Sequence, residues 1–422
     1  MSAELISILV LVVVFVIATT RSINMGALSF AAAFGVGELV AGLDADGIFA
    51  GFPGDLFVVL VGVTYLFAIA RANGTTDWLV HASIRLVRGR IALIPWVMFA
   101  ITGALTAIGA VSPAAVAIVA PIALSFAAQY GISPLLMGAM VVHGAQGGGF
   151  SPISIYGSIV NGIVEREKLP GSELTLFLAS LVANLLIAGI VFVLCGGLKL
   201  SSKQGGPQVD GEGKETDGER ESLSLTPARI ATLAALVALV IAVLVLDLDA
   251  GLTSVTLAVF LSAFWPDTSR KAVGEIAWPT VLLICGVLTY VGVLEEMGTI
   301  DYAGNAVGDI GIPLLAAVLL CYIGALISAF ASSVGIMGAL IPLAVPFLAQ
   351  GEIGAIGMVA ALAISATVVD VSPFSTNGAL VLAAAPDVDR ERFFRQLMVY
   401  GGIVAAVVPA AAWLLLVVPG FG

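Results

Sequence analysis

Charge is scarce in this chain. Asp, Glu, Lys and Arg make up 11% of its 422 residues and hydrophobic residues make up 60%, whereas soluble domains average about 25% charged and about 45–50% apolar residues. This composition excludes a soluble globular enzyme. Only 17 residues are Lys or Arg, and the net charge is −11. The chain therefore lacks the basic surface with which nucleic-acid-binding proteins hold phosphates.

Cysteine is rare as well. The three cysteines, Cys195, Cys285 and Cys321, lie in or at the edges of apolar runs and show no metal-ligand spacing. We interpret them as small buried hydrophobic residues. Basic residues are missing before the first apolar run, about Leu5–Thr20, and no clear cleavage site follows it. Both features argue against a secretory signal peptide, so we predict that this run is a membrane span.

Long apolar runs dominate the rest of the chain. The mean hydropathy is +1.12, and solid apolar blocks such as Leu5–Ala18 recur along the sequence. About 20 apolar residues in a helix cross a bilayer core of about 30 Å. An outer-membrane barrel would instead show segments of about ten residues with alternating polarity. The pattern predicts an all-α polytopic membrane protein.

Polar stretches separate some of these runs. Thr75–Arg90 mixes apolar and charged residues, which is typical of a helix lying in the membrane interface. The stretch 299–311 has the corresponding place later in the chain, and we expect a second interface helix there. Leu200–Ser224 is rich in Gly, Glu, Lys and Ser and has no aromatic residue. Because it has nothing to bury, we predict a mobile linker over 199–227.

Four long apolar runs are interrupted near their middles. Ile91–Ala128 is too long for one helix and is broken at Gly109 and at Ser112-Pro113. No charge separates its halves, which favours a hairpin that enters and leaves on one side of the membrane. The other breaks fall within 133–164 at Ser151-Pro152, within 312–349 at Ser332-Ser333 and within 354–385 at Ser372-Pro373.

The order of these features occurs twice. Gly74-Thr75-Thr76-Asp77-Trp78 aligns with Gly298-Thr299-Ile300-Asp301-Tyr302 without a gap, and the offset between the two is 224. Beyond a small indel the offset is 221, which places Ser151-Pro152-Ile153-Ser154 on Ser372-Pro373-Phe374-Ser375. We predict two repeats, each with five spans and one re-entrant hairpin. An odd number of spans inverts the second repeat relative to the first.

The basic residues predict the orientation. With the N-terminus outside, 15 of the 17 Lys and Arg residues fall on the cytoplasmic side, and only Arg166 and Lys168 fall outside. Cytoplasmic loops of membrane proteins carry such an excess. We therefore expect both termini outside, the central linker in the cytoplasm, and the protein in the bacterial inner membrane.

Inverted repeats with interrupted helices are typical of secondary transporters. A break leaves backbone N–H and carbonyl groups at the membrane midplane, where exposure to lipid would cost several kcal/mol each. Half-helix N-termini suit an anion, and carbonyls and hydroxyls suit a hard cation such as sodium. The predicted substrate-binding residues lie at the four breaks: Ser112, Pro113, Ser151, Pro152, Ser154, Ser332, Ser333, Ser372, Pro373, Ser375, Thr376 and Asn377.

The spans contain almost no Lys or Arg, so a bound anion has no full positive partner in them. We infer that backbone N–H groups, hydroxyls, the Asn377 amide and bound cations meet its charge. This favours a cation-coupled carboxylate symporter over an exchanger built on Arg. Asp370 and His143 lie near the breaks, and intramembrane ionisable residues are candidates for function. A coupling role competes with a neutral, capped acid and a satisfied interior histidine.

The N-terminal motifs resemble those of a known family. Gly51-Phe52-Pro53-Gly54-Asp55-Leu56-Phe57, followed by Gly62-Val63-Thr64-Tyr65-Leu66-Phe67-Ala68-Ile69-Ala70 and Asn73-Gly74-Thr75, is similar to the N-terminal domain of the MatC-type dicarboxylate carriers. The wider layout resembles the divalent anion–sodium symporters of the ion transporter superfamily. The resemblance implies a dicarboxylate substrate such as malonate or a C4-dicarboxylate, coupling sodium ions, a homodimer and an elevator motion.

The same resemblance suggests individual ligands. Those symporters carry Ser-Asn-Thr at each hairpin tip, where this chain has Val111-Ser112-Pro113 and Ser332-Ser333-Val334 and lacks the Asn. Their broken helices carry Thr-Pro-Pro-Asn, of which this chain keeps the hydroxyl–proline step. The cation-binding residues implied by the analogy are Ser112, Gly149, Phe150, Ser328, Ala331, Ser333 and Val371.

The breaks also divide the chain. All four lie in 91–198 and 312–422, so we expect these ranges to form a mobile transport unit, with 1–90 and 228–311 as a scaffold that holds the dimer interface. One competing function is the large membrane subunit of a binding-protein-dependent carboxylate transporter, and another is a proton-coupled carrier. An intramembrane protease would need a Ser–His pair or two intramembrane aspartates, so we expect no catalytic residues.

Overall fold

A computed structural model describes most of the chain. The described residues are 2–21, 23–84, 90–200, 224–246, 248–299, 302, 313–329, 333–349, 351, 353–385 and 388–421. Within them all regular structure is helical. Six of the described helical segments are long and apolar enough to cross a membrane, and several shorter apolar helices accompany them. The helical membrane protein predicted from composition is thereby confirmed.

Eleven helices are described in the first half of the chain. They are α1 (Ala3–Arg21), α2 (Met25–Val36, continued by a π-turn over Gly37–Ala41), α3 (Ala45–Ala50), α4 (Gly54–Ala72), α5 (Thr75–Ile84), α6 (Ile94–Ala107, preceded by a 3-10 turn over Ile91–Leu93), α7 (Ser112–Tyr130), α8 (Pro134–Gly148), α9 (Ile155–Arg166), α10 (Glu173–Leu194) and α11 (Gly197–Leu200).

The second half contains nine described helices. They are α12 (Pro227–Leu244), α13 (Ala250–Phe264), α14 (Pro266–Gly274), α15 (Trp278–Glu296), α16 (Pro313–Ser328), α17 (Ser333–Ala349), α18 (Ala355–Thr367), α19 (Thr376–Ala384) and α20 (Arg390–Ala412). A 3-10 turn over Val368–Val371 follows α18, and a π-turn over Trp413–Val417 follows α20.

Local sequence explains where many helices begin. Short polar side chains cap the first turn, as Asn24 does by accepting from the Gly26 and Ala27 N–H groups and as Asp249 does by accepting from Leu252 N–H. Such caps replace backbone partners that a helix start lacks. Proline lies in the first turn of α7 and α15, where its missing N–H and fixed φ fit the helix.

Corresponding helices begin at constant offsets. The offset between the starts of α4 and α15 is 224, and the offset is 221 for α7 and α17, for α8 and α18, and for α9 and α19. Helices α4 and α15 run antiparallel. Gly51, before α4, lies against Gly292 near the end of α15, while Ala277 N–H, before α15, donates to Thr64 Oγ1 in the middle of α4 at 3.4 Å.

Glycines set two close helix crossings. A Cβ on Gly286 of α15 would overlap the Gly26 carbonyl oxygen of α2, and a Cβ on Gly62 of α4 would lie 2.6 Å from the Gly251 carbonyl oxygen of α13. Gly62 and Gly286 are related by the same offset as the starts of α4 and α15. The two crossings therefore occupy corresponding places, and each needs a residue without a side chain.

The helices pack in two groups. Helices α1, α2, α4 and α12 to α15 contact one another, and α6 to α8, α10, α16 and α18 to α20 form a second connected group. Helix α17 packs on α15 as well as on α18 and α9. Helix α5 covers part of the first predicted interface segment. The second such segment, 299–311, and the linker predicted over 199–227 lie largely outside the described residues.

Candidate functional site

The break between α8 and α9 is a turn stabilised by serine hydroxyls. Helix α8 ends at Gly148 and α9 begins at Ile155. Ser151 Oγ donates to the Ala107 carbonyl at 2.6 Å, which ties the turn to the hairpin. Ser154 Oγ donates to the Gly149 and Ser151 carbonyls and accepts from Gly157 N–H at 3.1 Å. The Ser154 hydroxyl therefore satisfies the backbone at the break.

The break between α18 and α19 has the same construction. Ser375 Oγ donates to the Asp370 carbonyl and, at 2.7 Å, to the Ser372 carbonyl, and it accepts from Gly378 N–H at 3.3 Å. Ser372 Oγ accepts from Phe374 N–H at 3.3 Å. Ser375, like Ser154, acts as an N-cap of the second half-helix and leaves that helix start directed at the break.

The first hairpin tip contacts the opposite half of the molecule. Ser112 begins α7, and its Oγ accepts from Asn377 Nδ2 of α19 at 2.9 Å. Tyr156, the first-repeat counterpart of Asn377, lies beside the same hydroxyl. Ser112, Gly149 and Tyr156 line a narrow crevice next to the break. The structure thus brings together Ser112 and Gly149, two of the cation ligands suggested by resemblance.

The second hairpin tip donates a hydrogen bond to a carboxylate. Ser333 begins α17, and its Oγ donates to Asp370 Oδ1 at 2.5 Å and accepts from Ser328 Oγ at 2.8 Å. Val371 follows Asp370 in the same buried 3-10 turn. Ser332 and Ala331, two further predicted site residues, lie outside the described residues.

Asp370 joins the two halves of the molecule. Its second oxygen, Oδ2, accepts from Gln146 Nε2 of α8 at 2.6 Å. Gln146 is fully buried and Asp370 is 6% exposed. Gln146 Oε1 is buried and has no hydrogen-bond partner among the described residues. The site therefore combines a buried carboxylate with an amide oxygen that lacks a partner.

A cavity of about 610 Å³ lies between the breaks. The predicted site residues on its wall are Pro113, Ser333, Asp370, Thr376 and Asn377. Among the described residues that line it, Arg71 is the one basic residue. Arg71 pairs with Glu275 at 2.7 Å, and both side chains are about two-fifths exposed, so this ion pair marks the mouth of the cavity.

Other predicted residues support the cavity without lining it. They are Ser151, Pro152, Ser154, Ser372, Pro373, Ser375, Phe150, Gly149, Ser328 and Val371. Phe150 is fully buried and its ring lies 5.7 Å from that of Tyr156, which does line the cavity. These residues shape the breaks and position the polar groups that face the cavity.

His143 belongs to a separate buried network. Asn184 Nδ2 donates to the Ser180 carbonyl at 2.9 Å, so its Oδ1 is the acceptor 2.9 Å from His143 Nδ1. Nδ1 then carries the proton, and Nε2 accepts from Tyr400 OH at 2.6 Å. A neutral imidazole thus links α8, α10 and α20. His143 is not among the described residues that line the cavity. Its coupling role stays a prediction.

Several residues of the site were not predicted, among them Tyr156, Gln146 and Arg71. Tyr156 could have been found from the repeat, because it aligns with Asn377 at the offset of the second part of the repeat. Gln146 and His143 are the two strongly polar side chains of α8, and a polar side chain among apolar ones signals a buried partner without identifying it. Nothing in the local sequence distinguishes Arg71 as a cavity residue, since it ends a span as many basic residues do.

The comparisons with known proteins support one family. Residues 1–149 match the family model described as the dicarboxylate carrier protein MatC N-terminus. No curated protein matches the chain. The region matched contains α1 to α8 and the first hairpin. The resemblance indicated by the N-terminal motifs is thereby confirmed over residues 1–149 of this multi-pass helical membrane protein, which are similar to the N-terminus of the MatC-type dicarboxylate carriers.

Proposed function

We propose that the protein is a secondary active transporter that takes up a small dicarboxylate together with sodium ions. The dicarboxylate is malonate or a C4-dicarboxylate. The observation that carries the proposal is the cavity where the half-helices of both halves meet. Hydroxyl, amide and carboxylate groups face it at one end, and its basic residue, Arg71, lies at the mouth and is already paired. The family match over residues 1–149 supports the substrate class.

Charge is the reason for coupling. Two unit charges 4 Å apart in partly polar surroundings interact by about 4 kcal/mol. A dicarboxylate entering a cavity that contains the Asp370 carboxylate meets this order of repulsion unless a cation or a proton compensates it. The bound cation lets anion and carboxylate share the cavity, and the N-termini of α9 and α19 add partial positive charge.

The oxygen donors near the breaks suit a hard cation such as sodium. Ser112, Ser328 and Ser333 offer hydroxyl oxygens near the breaks, and Asp370 offers a carboxylate. Oxygen donors are those that alkali and alkaline-earth cations prefer. Among the described residues, no cluster of three or more His, Cys, Asp or Glu side chains forms a transition-metal site.

We propose an elevator motion of two inverted repeats, and the packing supports the repeats. Antiparallel α4 and α15, and the paired glycine crossings, support two repeats of opposite orientation. With the orientation inferred from the basic residues, Arg71 and Glu275 mark a cytoplasmic mouth. On the other side Arg166 Nη2 donates to the Gly51 carbonyl at 2.6 Å and joins α9 to the segment before α4. We therefore assign this conformation as inward-facing, and from the resemblance alone we propose a homodimer held by the scaffold helices.

Purified protein in proteoliposomes tests this function. Labelled malonate, succinate, malate and fumarate are offered under an inward sodium gradient, and under potassium or choline at the same pH. Uptake that needs sodium and no other protein is the expected result. Uptake that is undiminished without sodium but follows a proton gradient would reject sodium as the coupling ion. Absence of uptake until a binding protein and a small membrane subunit are added would favour the binding-protein-dependent alternative.

A further inference from the structure

We propose that Asp370 and Gln146 together form a sodium site shared between the two halves of the protein, in which the Gln146 amide turns to present its oxygen to the ion. This inference rests on the proposed function and names the ligands of one coupling cation. The two residues come from widely separated parts of the chain, helix α8 and the 3-10 turn after α18.

The carboxylate is placed for cation binding. Ser333 Oγ and Gln146 Nε2 each donate to one oxygen of Asp370, at 2.5 and 2.6 Å. Asp370 lines the cavity, and the basic residue among the described lining residues, Arg71, is paired with Glu275 at the mouth. A buried carboxylate without a cationic partner is costly. Two neutral donors lower that cost only in part, so the site retains a strong preference for a positive ion.

The orphaned oxygen of Gln146 provides the second ligand. Gln146 Oε1 is buried without a partner among the described residues, although most buried polar atoms in proteins have one. Turning the amide about its last torsion exchanges Oε1 and Nε2. Oε1 then faces Asp370 Oδ2, an arrangement of two acceptors that is favourable only with a cation bound to both oxygens or a proton on Asp370. Nε2 serves Asp370 when the ion is absent, and Oε1 serves the ion when it is bound.

Neighbouring groups complete an all-oxygen site. Ser333 Oγ is already on Asp370, and Ser328 Oγ lies 2.8 Å from Ser333 Oγ. The backbone that carries Gln146 is fixed, because the Gln146 carbonyl accepts from Ser180 Oγ of α10 at 3.1 Å. A turn of the amide therefore moves only the end of one side chain and does not disturb α8.

The site has no equivalent in the other half. The repeat position of Asp370 is Gly149, and that of Gln146 is Thr367, whose hydroxyl donates to the Ala363 carbonyl of its own helix at 2.8 Å. The counterpart around Ser112 therefore contains no carboxylate at the aligned position. We expect the Asp370 site to bind sodium before any dicarboxylate arrives, because it alone of the two is negatively charged.

Sodium binding without substrate tests the proposal. The purified full-length protein in detergent is unfolded thermally in rising concentrations of sodium chloride, with choline chloride keeping ionic strength and pH constant. Wild type should show a saturable rise in unfolding temperature. Asp370→Asn should lose this sodium-dependent rise. Gln146→Leu should need at least about tenfold more sodium to reach half of the rise. Thr367→Val, altered at the repeat position of Gln146, should respond like wild type.

A variant that adds a carboxylate distinguishes ion binding by Gln146 from a role in which Gln146 only donates a hydrogen bond to Asp370. Gln146→Glu keeps the oxygen and removes the N–H donor, so it should retain a sodium response at equal or lower concentration if the oxygen binds the ion. Loss of the response in both Gln146→Glu and Gln146→Leu, with both proteins folded, would show that only the N–H matters and would overturn the shared site. This comparison also decides the case if Asp370→Asn does not fold.

The outcomes distinguish this inference from the transport proposal. Sodium-dependent uptake with an unchanged sodium response in folded Asp370→Asn would overturn the site and leave the transporter intact. A wild-type protein that is stabilised by lower pH but not by sodium, and takes up dicarboxylate without sodium, would overturn both the site and sodium coupling. Uptake of dicarboxylate would still identify a carrier in that case.

Discussion

Replacing Asn377 with alanine should raise the half-saturation concentration for the dicarboxylate by about ten- to hundredfold. Asn377 is 1% exposed, lines the cavity at the start of α19, and donates to Ser112 Oγ at 2.9 Å. The other end of its amide has no partner among the described residues. Asn377 Oδ1 is therefore free to bind a cation that accompanies the substrate carboxylate. The Asn377 N–H group can donate to that carboxylate once Ser112 turns away.

The magnitude follows from the kind of bond that is lost. A hydrogen bond to a charged group contributes about 1.5–3 kcal/mol, which corresponds to about ten- to hundredfold in affinity. Asn377→Asp should be more severe, because it adds a second carboxylate to the cavity wall that contains Asp370. Ser372→Ala should have less effect than Asn377→Ala, since the Ser372 hydroxyl accepts from Phe374 N–H and lies off the cavity wall.

Initial uptake rates in proteoliposomes over a range of dicarboxylate concentrations measure the effect. Thr289→Val is a matched control, because Thr289 is fully buried in α15 and donates to the Cys285 carbonyl of its own helix at 2.7 Å. Each variant is compared at equal amounts of folded, reconstituted protein. A folded Asn377→Ala protein with the half-saturation of wild type would refute the placement of the substrate at this half-helix.

Three further predictions concern stability. Burial, and to a smaller extent repulsion from Glu295, raises the pKa of Glu167 from 4.5 to about 6. The contribution of Glu167 to the stability of the folded protein is therefore complete below about pH 4.5 and is lost as pH rises through about 6. The unfolding temperature of the wild type should fall over this pH range, and Glu167→Gln should lose that part of the pH dependence. Arg166→Ala should lower the unfolding temperature, because it removes the charged donor to the Gly51 carbonyl, and an unchanged temperature would contradict the contact. Gly378→Ala should destabilise by about 1–3 kcal/mol or more, because its Cβ would overlap the Ser372 carbonyl oxygen, whereas Gly402→Ala, with open space around it, should not; equal free energies of unfolding for the two variants would contradict this crowding.

Much of the architecture was determined by the sequence alone. Apolar length decides whether a segment can span the membrane, and the Ser-Pro steps interrupt helices because proline lacks an N–H and restricts the residue before it. The predicted breaks at Ser151-Pro152 and Ser372-Pro373 do separate α8 from α9 and α18 from α19. These are local properties of the chain, so they can be predicted from its letters.

The tertiary structure decided which polar groups meet. Gln146 reaches Asp370, and Ser112 reaches Asn377, only because helices far apart in sequence pack together. Nothing in the local pattern specifies such partners. Ser154 and Ser375 instead satisfy the backbone of their own turns, through hydrogen bonds to carbonyls three residues earlier in the chain. The sequence by itself determined the kinds of groups at the helix breaks, and long-range packing selected the few that face the cavity.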